Sequence, residues 1–218
     1  MMQAELEAKN FTVLAVALDS SPEKARPWIE AAKPTYPCLI DVDHRLAELY
    51  NFVNVPESVW IDEAGTIVRP QEPSGAFEGF RQMDRATFKV PDAALAKTTS
   101  ARQTYYAAVR DWAEKGAASR HVTTPEQTRQ RLNVPGPEMA LAHATFRLGR
   151  ALLRRGREAE AASAFAEAQR LHPESWAMWR QAAPLDHRGF ATGEAFWARV
   201  DALGDKRYYA RVEMDGMP

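Results

Sequence analysis

The chain has 218 residues, 45% of them hydrophobic and 26% charged, with a formal net charge of −1. That length holds one large domain or two small ones, and the near-neutral balance gives no electrostatic case for nucleic acid or an anionic membrane as partner. A single cysteine excludes an intrachain disulfide framework and fits a reducing compartment.

The opening Met1-Met2-Gln3-Ala4-Glu5-Leu6-Glu7-Ala8-Lys9 is a charged helical pattern and not a signal peptide. No apolar run approaches the roughly 20 residues of a membrane span. The expected location is cytoplasmic. Phe11 to Asp19 is a β-branched apolar run with the character of a buried parallel strand. After Ser20, Ser21-Pro22-Glu23-Lys24 opens a helix with Ser at the N-cap, which carries Trp28, Ile29 and Ala32 and stops before Pro34. Tyr36-Pro37-Cys38-Leu39-Ile40-Asp41 reads as a short second strand. Asp43 then caps a helix with Leu46, Leu49 and Tyr50 at helical spacing. Asn54-Val55-Pro56 leads into a hairpin, Ser58–Asp62 and Thr66–Val68, around the turn residue Gly65. This alternation predicts one α/β layered sheet over residues 11 to 70, with Val13–Val16 central and the hairpin beside it.

From Gln71 to about Asp92 the composition turns to Pro, Gly and polar residues with Phe77, Phe80 and Phe88, a linker packing on the first domain. Beyond it the pattern is helical. Ala93 to Lys115 ends at Gly116, a natural C-cap. Thr124-Pro125-Glu126-Gln127 starts a short helix, and Pro135-Gly136-Pro137 separates it from the next.

In Ala142 to Pro173, the residues Leu148, Gly149, Ala161, Phe165, Ala168 and Pro173 are spaced as in a tetratricopeptide repeat, and the segment resembles one. That resemblance implies an antiparallel helix pair turning at Gly156. Gly149 and Ala161 would lie at the close-contact face, with Leu148 and Phe165 filling the space around the pair. One repeat cannot bury its own face, so the helices around Tyr105–Trp112 and Trp176–Trp179 would serve as neighbours.

The strand Val13-Leu14-Ala15-Val16, the motif Tyr36 to Asp41, the helix Leu46-Ala47-Glu48-Leu49-Tyr50, and Val55-Pro56 followed by Trp60-Ile61-Asp62 and Gly65 together resemble the second half of a thioredoxin-like domain of the TlpA/ResA or peroxiredoxin-like kind. The resemblance implies a domain over 1–70, a connecting stretch over 71–92 and a helical domain over 93–218. In such proteins a strand and a helix opening with Trp-Cys-x-x-Cys precede these elements, and Met1 to Lys9 resembles the tail of that helix. Their chemistry needs two thiols at a helix N-terminus. This chain has Cys38 alone. Two explanations stand side by side: a start upstream of Met1, with a misplaced start codon or a selenocysteine codon read as a stop, or genuine loss of catalysis.

The resemblance also implies that Pro56 is the cis-proline of the family and that Val55 before it pairs with an extended substrate. Cys38 is either a redox-sensitive thiol or, placed within an apolar strand, a buried packing residue. The aromatics Trp176, Trp179, Phe190, Phe196, Trp197, Tyr208 and Tyr209 read as core. Arg147, Arg150, Arg154, Arg155 and Arg157 read as a solvated face. His44, His121, His143, His172 and His187 are dispersed, with no pair at metal-ligand spacing. No metal or organic cofactor is expected. Two functions follow: a thiol-disulfide oxidoreductase-like protein that is redox-inactive as the chain stands, or a non-enzymatic module whose helices bind a protein or peptide.

Overall fold

The computed structural model describes residues 2–19, 21–132, 134–186 and 190–218, so the expectations on Met1, Ser20 and His187 fall outside it. Two compact units form, and neither is continuous in sequence. One takes Met1–Phe11, Pro56–Leu132 and Glu194–Pro218; the other takes Thr12–Val55 and Asn133–Gly193.

In the first unit, helix α1 (Met2–Leu6) lies ahead of the chain's first strand in sequence. The hairpin forms and is longer than its apolar core suggests: β3 (Glu57–Ile61) pairs antiparallel with β4 (Ile67–Pro73). Asp62 organises the turn, its Oδ1 accepting the N–H groups of Ala64 and Thr66 at 3.0 and 2.8 Å, and Gly65 supplies the positive φ of 79°. Helix α4 (Asp92–Lys115) stops at Gly116, and α5 (Pro125–Arg131) starts with a full capping box between Thr124 and Gln127. The core is Leu6, Trp60, Val68, Tyr105, Val109 and Val212. Trp60 stacks on Trp112 at 5.0 Å and donates its Nε1–H to the Tyr105 hydroxyl at 2.9 Å. The 71–92 stretch packs within this unit. A Cβ on Gly79 would sit 2.9 Å from the Ala94 carbonyl of α4, and Phe80 meets Phe196 of α9 (Glu194–Asp201) and Tyr208.

In the second unit, β1 (Ala15–Ala17) pairs parallel with β2 (Cys38–Ile40). The expected single sheet does not form: the described strands make two separate two-stranded sheets. The β1–β2 ladder is short for local reasons. Pro37 has no N–H to give it, and after Ile40 the chain turns into Asp41, whose side chain is committed to a helix. Helix α2 (Pro22–Ala32) follows β1, though the Ser21 side chain makes no cap bond.

Helix α3 (Arg45–Leu49) is capped by Asp41 and not by Asp43. His44 takes a left-handed conformation, φ 55°, and this swings the Asp41 carboxylate over the N–H groups of Arg45 (2.7 Å), Leu46 (2.7 Å) and Ala47 (3.2 Å). Helices α6 (Pro137–Arg154) and α7 (Glu158–Leu171) form a hairpin turning through Gly156. They meet where a Cβ on Gly149 would lie 2.7 Å from the Phe165 ring and 3.3 Å from the Ala161 carbonyl. Phe146, Ala142, Phe165 and Ala168 are buried there. Leu148 is not: it is 53% exposed, lying just outside the apolar stripe of α6. Helix α8 (Trp176–Ala182) follows, with Trp176 buried. No helix among the described residues is long and apolar enough to cross a membrane.

Candidate functional site

Cys38 begins β2, opposite Ala15 of β1. It is half-buried, in a two-stranded ladder. Its Sγ lies 3.7 Å from the Tyr36 carbonyl, and no second thiol exists in the sequence. Val55 and Pro56 are both exposed. The Val55 N–H, the group an extended peptide would engage, donates to Asn54 Oδ1 at 2.9 Å. That same Oδ1 accepts Arg180 Nη1 at 2.9 Å, and Asn54 is buried. Asn54 therefore fixes the backbone ahead of Pro56 by occupying its donor.

The arginines of α6 depart from the solvated face expected of them. Arg150 is 4% exposed; its guanidinium donates to the Val42 carbonyl at 2.8 Å and to Gln181 Oε1 at 3.1 Å. Arg147 pairs with Glu48 of α3, and Arg154 with Asp43. Three positions one turn apart on α6 thus grip the acidic Asp41–Glu48 segment. Arg155 and Arg157 are exposed as expected, Arg157 pairing with its neighbour Glu160, and Arg154 is half-exposed. Burial pulls the Glu48 carboxyl up, but Arg147 and Arg45 together hold it below the usual carboxylate range.

Three of the five histidines come together in one unit, while His121 belongs to the other. His44, His143 and His172 are each buried within this unit. The rings of His143 and His172 lie 5.9 Å apart, and the His44 ring packs 4.9 Å from Phe146. The signal was present on one helix, where His143, Arg147, Arg150 and Arg154 share a stripe at steps of four, three and four. Their partners lie about a hundred residues away, and single-chain periodicity does not reveal that. Among the described residues no group of three or more His, Cys, Asp or Glu is placed to hold a metal ion.

In the other unit Arg69 is buried on the hairpin. It pairs with Glu72 through two nitrogens and donates to the carbonyls of His121 (2.9 Å) and Glu213 (3.0 Å). Its guanidinium lies 5.4 Å from the Trp60 ring, and its hydrogen bonds are all structural. It borders an open cleft of about 530 Å³ that Arg120 and Arg211 also line.

No curated protein and no solved structure matches the chain. Residues 1–69, about a third of the chain, match the model of the AhpC/TSA family, so this stretch is similar to thioredoxin-like peroxiredoxins.

Proposed function

We propose that the protein is a thiol-disulfide oxidoreductase-like member of the TlpA/ResA class that has no working redox centre in this chain. What supports the reading is a single pairing of facts: the AhpC/TSA match over residues 1–69 and a lone cysteine in the middle of that match. Resolving a mixed disulfide takes a second thiol. Cys38 lies on a strand and not at a helix N-terminus, so it lacks the dipole and free N–H groups that stabilise a thiolate. Val55 and Pro56 are the proposed peptide-contacting backbone, and a peptide pairing there would have to displace Asn54 Oδ1 from the Val55 N–H. In an insulin-reduction assay the purified chain is expected to give no turnover above buffer. Turnover that Cys38→Ser abolishes would overturn this reading.

A second reading, a protein-binding module with a tetratricopeptide-like helix pair, draws on Leu141 and Leu148. They lie seven residues apart on α6 and are 54% and 53% exposed. A photo-crosslinking residue placed at 148 in cells should then capture one discrete protein that the same residue at 154 does not. Equal or absent capture at both sites would remove that reading.

A further inference from the structure

Three histidine side chains in one small unit carry a buried Nε2 that meets no hydrogen-bond partner among the described residues: His44, His143 and His172. They are 3%, 4% and 4% exposed. Buried polar atoms without partners are uncommon and call for a reason. Here the His143 and His172 rings lie 5.9 Å apart, and the His44 ring packs on Phe146, three residues along α6 from His143. His44 fronts α3, His143 lies on α6 and His172 closes α7. Phe146 sits between His44 at 4.9 Å and Phe165 at 5.4 Å, so the His44 ring is part of the packing of the helix hairpin.

We propose that this cluster is a proton-operated latch. It holds α3 on the α6–α7 hairpin while the three imidazoles are neutral, and releases it when they take up protons.

Every charged group facing the cluster bears on the sign. His44 faces Arg150, Asp41, Asp43 and His143. His143 faces Glu48, His172 and Arg147, and His172 faces Glu174. Asp41 is committed to the α3 N–H groups, Glu48 to Arg147 and Asp43 to Arg154; these acids and Glu174 favour a proton on the rings, and burial outweighs them. Arg150 is buried with its charge directed at a carbonyl and an amide. A proton on His44 would therefore add a second cation beside Arg150 in a poorly solvated place. Burial first, and Arg150 next, push His44 down to about 4; burial pushes His143 down to about 4 and also lowers His172.

A histidine whose closed-state pKa is depressed stabilises the closed state fully above its free value of about 6.5. That stabilisation is lost as pH falls from there toward 4. Between pH 7 and pH 5 opening should thus be promoted by about 20-fold for each of His44 and His143, and His172 adds in the same direction. Arg147 and Arg45 hold the Glu48 carboxyl below the usual carboxylate range, so over that range acid acts on the imidazoles.

The test is amide hydrogen exchange on the full chain at pH 7 and pH 5, corrected for intrinsic rates. The opening constants of the α3 and α6 amides should rise by at least 100-fold, while those of α4 in the Trp60–Tyr105 core rise far less. In His44→Gln/His143→Gln, which cannot titrate there, the pH-dependent rise should shrink by at least 100-fold. Equal pH dependence in α4 and α6, or in wild type and variant, would overturn the proposal. Should the variant fail to fold, the wild-type ring signals decide. Titration of all three rings near 6.5 in the folded protein would refute the latch, and absence of titration above pH 5 would support it.

Discussion

Tyr105 places one hydroxyl between two partners: it lies 2.7 Å from Ser58 Oγ and accepts the Trp60 indole N–H at 2.9 Å. Burial raises its pKa above the usual phenol value, so it remains a neutral donor and acceptor throughout the working pH range. Tyr105→Phe should cost about 1–3 kcal/mol by urea unfolding, because the buried indole N–H loses its acceptor. Tyr106→Phe, one position along and 39% exposed, should stay within about 0.5 kcal/mol. Gly149 makes the complementary case. Gly149→Ala forces a methyl into the Phe165 ring and should cost about 1–3 kcal/mol. Phe165→Ala, which empties the same space, should cost about 3–5 kcal/mol. Equal stability in all of these variants would show that neither contact supports its unit. Gly149, Ala161 and Phe165 were legible because close helix approach leaves small residues at helical spacing. Leu148 was misjudged, since being apolar one position outside the stripe does not bury a side chain.

At the scale of elements, local chemistry was the most readable part. The capping box at Thr124, the Gly65 turn and the stop at Gly116 each involve residues within a few positions of one another. Asp41 escaped for the same reason in reverse: it reaches α3 only because His44 adopts a left-handed turn that residue preference does not announce. Asp41→Ala should lower stability by about 1–2 kcal/mol, as three N–H groups lose their acceptor. Asp43→Ala should stay near 0.5 kcal/mol, since its pair with Arg154 is about half-exposed on both sides. Equal costs, measured by thermal unfolding, would return the cap to Asp43. Strand content was also legible, but not strand pairing. An apolar run fixes that a segment is extended and leaves open which neighbours it meets, so one sheet was expected where two short ones form.

At the scale of the molecule, each unit is built from stretches distant in sequence. Trp60 on the hairpin needs Tyr105 and Trp112 on α4. The cluster at Arg69 needs the Glu213 carbonyl, and Glu78 accepts the Tyr208 N–H at 2.8 Å. Composition marks a boundary near Asp92, yet these contacts span it. Separate expression of residues 1–92 and 93–218 tests whether it is a boundary of stability. Neither piece is expected to give a cooperative urea transition, while mixing them should restore Trp60 fluorescence typical of a buried indole. Two independently cooperative fragments would establish the division at 92 instead.

The dependence of the hairpin on Val212 and on the Glu213 carbonyl also sets an order of events during synthesis. At ribosomal speed the interval between Trp60 and Val212 is on the order of ten seconds. The Thr12–Val55 and Asn133–Gly193 unit has all its residues before α9 is made, whereas the hairpin waits for the last stretch of chain. Through that wait Trp60 and Val68 lack part of their cover, and chaperones would meet this hairpin in preference to the helix pair. Translation pauses after residue 193 would lengthen that exposure and lower the yield of folded protein without changing a single amino acid.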